Sequence, residues 1–455
     1  MDFHHKKALI CGVARSGIAA AELLLKLGAE PTVSDIKERS KLETEAVALE
    51  GKGIKLLLGE NPDAALGAFD LIVLSPGIPF DLPFLNKARA LGVPVWGEIE
   101  LAFRVCQSPV IAVTGTNGKT TTTALAGEIF AAHNKNTAVV GNIGVPFCAK
   151  AAEAAPDGFV VAEISSFQLE TVETFRPRVS AVLNMTPDHL NRHKTMENYI
   201  AVKERIFEKQ TPEDFTVLNY DDAACQKMAG KTAAQVLFFS RKEPLSQGIY
   251  LDGDRIMIRW GGLDTAMIRT GELQIFGSHN IENVMAAAGM AVCAAIPLET
   301  IRTALKAFKG VAHRIEYVRT LDGVDFYNDS KATNVDAAVK AIEAMTKPIV
   351  LIGGGRDKSG DFSDWVKLFD GKVKCVIPIG EAAELISDTC KAYNYTAVYR
   401  ANTMKDAVEL GFSKAAPGDC VLLSPACASF DLFDSYEQRG DIFKQVVAEL
   451  CGRGE

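Results

Sequence analysis

The sequence predicts an α/β protein built from three domains in series. Short β-branched runs alternate with helical patterns along most of the chain, which is typical of parallel sheets covered by helices. A length of 455 residues is too great for one ordinary domain and suggests about three. Hydrophobic residues make up 48% and charged residues 23%, a balance that allows sizeable buried cores.

The first predicted domain spans residues 1–97 and is expected to be Rossmann-like. Its strands are predicted at residues 7–11, 31–35, 71–75 and 93–98, and its first helix at residues 18–27. Residues 12–17 resemble a dinucleotide-binding turn with Ala14 in place of the middle glycine, and Asp35 ends the second strand, where it could accept from a ribose hydroxyl. From the residues alone, a nicotinamide dinucleotide, a nucleotide-sugar and a simple tight turn remain equally open.

A loop at residues 114–120 follows a predicted strand and precedes a predicted helix. Gly115 and Gly118 allow backbone N–H groups to approach phosphate oxygens, and the helix start adds a favourable dipole. Lys119 can reach the β- and γ-phosphates of a nucleotide, and the Thr120 hydroxyl can ligate Mg²⁺. The loop therefore predicts a P-loop-type ATPase site, and the alternative is a turn that binds nothing.

This loop belongs to a second predicted domain, residues 98–309. Val113 stands where the strict phosphate-loop pattern has its first glycine, so the loop is an irregular one. A small antiparallel β insertion is predicted at residues 211–278. The other strands are predicted at residues 109–113, 159–162 and 179–184. A helix at residues 280–294 is predicted to return the chain to the nucleotide-binding unit.

Two residues of the second domain are candidate metal ligands. Glu163 comes directly after one predicted strand, and His189 lies five residues after the next. Ligands of parallel α/β sheets bind beyond the carboxyl ends of the strands, where the phosphate loop also lies. A carboxylate is a natural Mg²⁺ ligand and imidazole an unusual one. The alternatives are a helix cap for Glu163 and an ordinary turn for His189.

The third predicted domain spans residues 310–455 and is again expected to be Rossmann-like. Its strands are predicted at residues 326–328, 348–352, 375–379 and 419–423. Polar loops rich in small residues follow three of them, which indicates a substrate-binding face: residues 328–334, 353–359 and 424–431. Glu437, Gln438 and Arg439 are interpreted as a set of charges on a helix face, and the alternative is that the fold turns them inward.

Composition excludes several classes of function. The net charge is −8 and no cluster of Lys and Arg with interleaved aromatics is present, so we expect no nucleic-acid partner. No apolar stretch reaches the roughly 18–20 residues of a membrane span. The ten cysteines form no C-x-x-C pair, which disfavours a zinc or redox site and fits a reducing compartment. With a polar start and no signal-peptide pattern, a cytoplasmic location is expected.

With these residues in view, the chain resembles the Mur ligases of bacterial peptidoglycan synthesis, and among them the members that add D-glutamate. The resemblance covers nearly the whole chain and rests on the motifs at residues 114–120, 163–166, 184–189, 279–280 with Asn283, 313–314 and 328–334. Residues 74–79 and 424–440 are similar to the D-glutamate-adding members in particular. The sequence lacks the Asp-Asn-Pro-Arg motif of the ligase that adds a diamino acid next.

The resemblance implies an ATP-dependent ligase that joins D-glutamate to the alanine carboxylate of UDP-N-acetylmuramoyl-L-alanine through an acyl phosphate. Its expected partners are this nucleotide-sugar, D-glutamate and ATP, with Mg²⁺ at two sites, and the expected state is a monomer. Catalytic roles are implied for Lys119, His189 and Lys203. The implied metal ligands are Thr120, Glu163, His189 and Lys203, the last as a carbamate. From the residues alone, Lys203 is a solvated helix lysine.

The resemblance also implies three sets of binding residues. For ATP they are Gly115, Thr116, Asn117, Gly118, Lys119, Thr120, Thr121, Asn283 at the adenine, Arg314, and Asp329 at the ribose. For the UDP substrate they are Arg15, Ser16, Asp35, Ile36 through its backbone, Ser75, Gly77 and Asn142. For the amino acid they are Lys331, Thr333, Lys358, Ser429 and Phe430.

Three rival functions remain open at this point. A nicotinamide-dependent dehydrogenase would use the turn after Gly12 together with Asp35, but it leaves the loop of Lys119 unexplained. A regulatory nucleotide switch would use Lys119 without chemistry on a small acid, and no Asn-Lys-x-Asp guanine-binding motif supports it. Within the resemblance, the rival is a ligase that adds a different amino acid.

Overall fold

The computed structural model describes residues 2–64, 66–142, 144–275, 277–357 and 361–452. By its contacts the chain divides into two compact units. The first unit is Met1–Leu273 with Glu282–Phe308, and the second is Gln274–Ile281 with Lys309–Glu455. Within the described ranges, none of the helices combines the length and hydrophobicity that crossing a bilayer requires.

The amino-terminal part of the first unit is a parallel sheet flanked by helices. Its strands are β1 (Lys7–Cys11), β2 (Glu30–Asp35), β3 (Lys55–Leu58), β4 (Leu71–Leu74) and β5 (Val95–Gly97), in the order β3-β2-β1-β4-β5. Its helices are α1 (Arg15–Lys26), α2 (Glu43–Glu50), α3 (Pro83–Ala90) and α4 (Glu98–Val105). The predicted strands are present, and β3 is an addition. It escaped prediction because Lys-Leu-Leu-Leu lacks β-branched residues and is only half-buried.

The rest of the first unit is built on one large sheet. Its strands are β6 (Val110–Thr114), β7 (Thr137–Gly141), β8 (Phe159–Glu163), β9 (Val179–Val182), β10 (Phe215–Asn219), β11 (Gln235–Ser240), β12 (Gly248–Asp252), β13 (Arg255–Trp260) and β14 (Leu263–Arg269). Their order is β14-β13-β12-β11-β10-β9-β6-β8-β7. The helices are α5 (Lys119–His133), α6 (Cys148–Ala151), α7 (Ser166–Leu169), α8 (Leu190–His193), α9 (Met196–Glu204), α10 (Ala223–Met228), α11 (Ser278–Cys293) and α12 (Leu298–Ala307).

The segment at residues 211–278 differs in part from its predicted antiparallel form. β12, β13 and β14 are antiparallel neighbours, as expected. β10 and β11, however, run parallel to β9 and extend the large sheet. The reason is visible in their burial: Thr216, Val217 and Leu218 in β10 are buried in succession, which is typical of a strand covered on both faces.

The second unit holds a third sheet. Its strands are β15 (Glu316–Leu321), β16 (Val324–Asn328), β17 (Ile349–Gly354), β18 (Val373–Ile379) and β19 (Cys420–Leu423), in the order β15-β16-β19-β17-β18. All neighbours are parallel except the edge strand β15, which the sequence reading missed. The helices are α13 (Val335–Ala344), α14 (Ser363–Val366), α15 (Ala383–Ala392), α16 (Met404–Lys414) and α17 (Tyr436–Glu449). The predicted α/β class is confirmed, and the exact bounds 1–97, 98–309 and 310–455 stay predictions.

Helix α4 carries two buried carboxylates that hold neighbouring segments in place. Glu100 accepts hydrogen bonds from the backbone N–H groups of residues 173–175 and from Arg104, one turn later. Glu98 accepts from the backbone N–H of Cys148 through Oε1, while no described residue bonds its Oε2. Burial raises the pKa of Glu98 from 4.5 to about 7.

Glu98 should therefore make stability depend on pH. A carboxyl with a raised folded-state pKa stabilises the fold fully below 4.5, and this contribution is lost as the pH rises through about 7. The free energy of unfolding of the native protein should fall by up to about 3 kcal/mol from acidic to mildly alkaline solution, because Glu98 must then ionise in a buried place. Glu98→Gln cannot ionise there and should not show this fall. Urea unfolding from pH 5 to pH 8 measures this. Glu43→Gln, at an exposed ion pair with Arg39, is the control; parallel curves for native and Glu98→Gln would contradict the prediction.

Candidate active site

The phosphate-loop candidate is held by strand ends of the large sheet. Register pairs Val113 with Glu163 across β6 and β8, so the loop and Glu163 leave the sheet at the same edge. Asn184 then clamps the loop: its Oδ1 accepts from Asn117 N at 2.9 Å, and its Nδ2 donates to Asn117 O at 3.0 Å. Gly118 begins α5 with φ 85°, and a Cβ there would lie 2.3 Å from Asn283 Oδ1. Only glycine fits this position.

Lys119 folds back over the loop that precedes it. Its Nζ donates to Gly115 O at 3.0 Å and to Thr116 O at 2.7 Å. Thr120 and Thr121 are buried in the first turn of α5. A helix start offers N–H groups without acceptors inside the helix, so this turn suits an anion such as a phosphate.

Lys203 is buried beneath the loop, at 1% exposure. Its Nζ donates to Gly115 O at 2.8 Å and to Thr114 Oγ1 at 3.2 Å. Burial, together with the charge of Lys119, holds the pKa of Lys203 well below its usual range, although Asp188 and Glu163 oppose this. The reading of Lys203 as a solvated helix lysine is therefore wrong, and only the family resemblance pointed to the site.

Glu163 lies at the end of β8 and is buried. Its Oε1 accepts from Asn142 Nδ2 at 2.9 Å, and Asn142 N donates to the Glu163 carbonyl at 2.8 Å. Its Oε2 is buried and has no hydrogen-bond partner among the described residues. A buried carboxylate oxygen without a donor is costly unless a ligand or cation contacts it.

His189 has a left-handed backbone, with φ 54°. Its ring packs on Phe167 with centroids 4.8 Å apart, and its Nε2 lies 3.5 Å from Asp188 Oδ2. The side chain is 40% exposed, so the imidazole is open to a ligand. The negative charge of Asp188 also raises the pKa of Lys203, against the effect of burial. The sequence predicts no role for Asp188.

The donor set fits Mg²⁺ better than a transition metal. No group of three or more His, Cys, Asp or Glu gathers into a metal site in the described part of the chain. Mg²⁺ needs fewer protein ligands, since it is usually held by one or two carboxylates together with phosphate oxygens and water. Glu163 has one carboxylate oxygen without a partner among the described residues, and the Thr120 hydroxyl is a neutral oxygen that can also ligate Mg²⁺.

A cavity of about 1030 Å³ lies beside the amino-terminal sheet of the first unit. Sites for small molecules usually measure about 300–1,000 Å³, so the cavity can hold a large one. All residues predicted for the UDP substrate line it: Arg15, Ser16, Asp35, Ile36, Ser75, Gly77 and Asn142. The first turn of α1 borders it as well, and its N–H groups suit a diphosphate. The structure thus brings this predicted set together, while its ligand stays a prediction.

Two contacts order the turn beside this cavity. Asp35 Oδ2 accepts from Val13 N at 2.9 Å, which fixes the turn against the end of β2. A Cβ on Gly17 would lie 2.0 Å from the Gly12 carbonyl, so α1 can approach β1 only with glycine at this position.

The residues predicted for the amino acid lie in the second unit. Lys331 Nζ donates to Tyr436 Oη at 2.8 Å and lies 4.4 Å from the centre of that ring. Thr333 is half-buried, Ser429 is buried and Phe430 is 61% exposed. Lys358 lies outside the described residues. Tyr436 belongs to the stretch 424–440 that carries the resemblance, but the sequence predicts no role for it.

Asp329 is buried and already accepts hydrogen bonds on both oxygens. Its Oδ2 accepts from Ser424 Oγ at 2.9 Å and its Oδ1 from Ile315 N at 3.3 Å, with Arg314 at 4.0 Å. Burial raises its pKa to about 6. In this conformation the carboxylate is not presented to a ligand, and the ribose contact stays a prediction.

Arg439 is turned inward by the fold, which was the alternative to a charge on the helix surface. It is fully buried, and its guanidinium donates to Ser330 Oγ and O and to the carbonyls of Cys427 and Ala428. Burial lowers its pKa to about 10. It therefore joins the loop of Lys331 to the loop of Ser429. The signal was present: Arg439 shares the i, i+4, i+8 face of α17 with buried Phe443 and Val447.

Family models match three successive stretches of the chain. They are the Mur ligase MurD-like N-terminal domain at residues 6–97, the Mur ligase middle domain at 113–291 and the Mur ligase glutamate ligase domain at 313–427. Because these matches cover most of the chain, the protein belongs to the Mur ligase family. The resemblance seen in its motifs is confirmed.

Similar proteins span the full length of the chain. A UDP-N-acetylmuramoylalanine–D-glutamate ligase of Alkaliphilus metalliredigens is 46% identical over 453 residues, 99% of each chain. A protein of the same name from Lachnospira eligens is 48% identical over 450 residues, 99% of this chain and 100% of the relative.

Solved structures share the fold at low sequence identity. The UDP-N-acetylmuramate–alanine ligase MurC of Thermotoga maritima is 19% identical with a TM-score of 0.62, over 98% of this chain and 100% of that one. A pseudomurein peptide ligase type C of Methanothermus fervidus is 18% identical with a TM-score of 0.60, over 98% and 99%. These likenesses concern the fold alone.

Arg439 gives a test of how the second unit is held together. Arg439→Met should lower the free energy of unfolding by about 3 kcal/mol, because four buried acceptors lose a charged donor. Arg319→Met is the matched control, since Arg319 also donates to two carbonyls of this unit, those of Ala448 and Leu450. Denaturant unfolding should show the smaller loss for Arg319→Met; equal losses would speak against a special role for Arg439.

Proposed function

We propose that this protein is an ATP-dependent ligase that adds D-glutamate to the alanine carboxylate of UDP-N-acetylmuramoyl-L-alanine, a step of peptidoglycan precursor synthesis. The observation that carries the proposal is the set of relatives with this activity in their names, 43–48% identical over nearly all of both chains. The large cavity and the phosphate loop in the first unit support it, because the reaction needs a nucleotide-sugar site and an ATP site.

The proposed reaction has two steps that balance. An oxygen of the alanine carboxylate attacks the γ-phosphorus of ATP, an O–P bond forms and ADP leaves. The D-glutamate amine then attacks the acyl carbon, the C–O bond to phosphate breaks, and the amine loses a proton as the amide forms. Phosphoryl transfer depends mainly on positioning and charge neutralisation. Lys119 and the first turn of α5 supply both to the phosphates.

Mg²⁺ would neutralise phosphate charge during the transfer. Within the first unit we assign its ligands to Thr120, Glu163, His189 and Lys203. The unpartnered Oε2 of Glu163 supports the first position, and the exposed ring of His189 leaves the second accessible. We infer two such sites, one at Glu163 and one at His189. Both residues follow strands of the large sheet at the same edge.

Lys203 is proposed to act as a carbamate. Its low pKa favours the neutral amine, which is the form that attacks CO₂. The product is an N-carboxylate with loss of a proton, and it gives this buried position oxygen ligands and a negative charge. Oxygen ligands suit a hard metal ion, and the negative charge would face the positive charge of Lys119.

The substrates are assigned to the residue sets predicted from the resemblance. The nucleotide-sugar takes the cavity, with its diphosphate near Arg15 and Ser16. D-Glutamate is assigned to Lys331, Thr333, Ser429 and Phe430 in the second unit and, from the resemblance alone, to Lys358. The adenine of ATP is assigned to Asn283 of the first unit, and the roles implied for Arg314 and Asp329 stay predictions.

The direct test of the proposal is phosphate release from ATP with UDP-N-acetylmuramoyl-L-alanine and a panel of amino acids. We expect release with D-glutamate and little with L-glutamate, D-aspartate, L-lysine or diaminopimelate. Phosphate release with another amino acid would make the protein a ligase of different specificity. Phosphate release without any nucleotide-sugar would contradict the ligase assignment.

The carbamate has its own test. Lys203→Ala should lose nearly all activity, because the variant lacks the oxygen ligands, and added formate or acetate should restore part of it. Lys209→Ala is the control at an exposed lysine that pairs with Glu208 on the surface. Full activity of Lys203→Ala, without any need for added carboxylate, would remove the role.

A further inference from the structure

Arg192, in α8, joins two separate segments of the first unit. Its Nε donates to Glu170 at 3.0 and 3.2 Å, and Nη2 donates to the same carboxylate. On its other side, Nη2 donates to the Ile78 carbonyl at 3.0 Å and Nη1 to the Gly77 carbonyl at 3.4 Å. One guanidinium thus spans the middle part of the chain and a loop of the amino-terminal sheet.

This junction is enclosed. The Arg192 side chain is 16% exposed and the Glu170 side chain 2%. The Phe167 ring covers the guanidinium, with its centre 4.4 Å from Cζ. A planar guanidinium held bidentately in a buried setting has a fixed orientation, so its remaining N–H groups point in a fixed direction.

The loop that Arg192 holds is a wall of the large cavity. Residues 75–79 all line that cavity, whereas Arg192 is not among the described residues that line it. Arg192 therefore reaches the cavity only through the backbone of Gly77 and Ile78.

The opposite end of the junction belongs to the proposed metal site. The Arg192 backbone N–H donates to the His189 carbonyl at 3.0 Å. Phe167, which covers the guanidinium, also packs on the His189 ring. The same small cluster thus contacts the cavity wall and the residue assigned to the second metal.

We infer that Arg192 is a positioning residue for the nucleotide-sugar: it fixes the cavity wall at residues 75–79 relative to the segment that carries His189. The inference rests on the proposed function, because it takes the cavity as the nucleotide-sugar site. Its consequence is selective. Loss of Arg192 should weaken binding in the cavity and leave the phosphate loop, on β6 and α5, unaffected.

Isothermal titration of the whole protein tests this with two ligands, UDP-N-acetylmuramoyl-L-alanine and Mg-ADP. Arg192→Met should raise the Kd of the nucleotide-sugar about ten-fold, the effect of losing one hydrogen bond to a charged group. The Kd of Mg-ADP should stay within about two-fold, a change too small to represent a lost contact. Arg192→Lys keeps the positive charge but lacks the planar guanidinium that donates to two partners at once. Its Kd for the nucleotide-sugar should lie between those of the native protein and Arg192→Met.

Arg205 provides the matched control. It donates to the carbonyls of Leu169, Glu170 and Val172, so it braces the same segment as Arg192 without bonding residues 75–79. Arg205→Lys should leave the Kd of the nucleotide-sugar near the native value even if the melting temperature falls. This separates positioning from general loosening.

The outcomes are distinguishable. Unchanged nucleotide-sugar affinity in both Arg192 variants overturns the inference, and so does an equal loss in Arg205→Lys or an equal weakening of Mg-ADP. If Arg192→Met does not fold, Arg192→Lys decides by the same comparison. A native protein that binds Mg-ADP but no nucleotide-sugar would overturn the proposed function itself, and the inference with it.

Discussion

The register of three parallel strands is the constraint on which the proposed site depends. β6 pairs with β8 on one side and β9 on the other, and these pairings set Val113 beside Glu163 and Thr114 beside Val182. The phosphate loop, Glu163 and Asn184 therefore leave the sheet together at one edge. Asn184 can clamp the loop backbone only because of this register, and a shift of one residue would turn Glu163 to the other face.

This geometry creates an electrostatic problem in the same place. Lys119 and Lys203 both approach the Gly115 carbonyl, and Lys203 is buried without a carboxylate within hydrogen-bond distance among the described residues. The enclosed position favours a neutral amine at Lys203, while Glu163 keeps one oxygen without a donor. The oxygen of Glu163 that has no donor is costly in an isolated fold. Under the proposed function, Mg²⁺ that enters with ATP would contact it.

Sequence patterns predicted most strands of the three sheets and the strand–loop–helix position of the phosphate loop, because buried parallel strands and glycine loops are local signals. They missed β3, β7 and β15, which are short or lie at sheet edges. The burial of Lys203 was not predicted from the residues, since a charged residue on a helix is usually solvated and only tertiary packing turns it inward. For Arg439 the inward position was only an alternative, although the residue shares a helix face with Phe443 and Val447. Arg192 is similar: its role depends on carbonyls 114 and 115 residues away in the chain.

The acyl phosphate is the central step of the proposed reaction, and isotope transfer tests it most directly. UDP-N-acetylmuramoyl-L-alanine labelled with ¹⁸O in both carboxylate oxygens is converted with ATP and D-glutamate, and the phosphate is analysed by mass spectrometry. The account predicts one labelled oxygen in each inorganic phosphate and the other in the new amide. Label found in AMP, or phosphate without label, would contradict it.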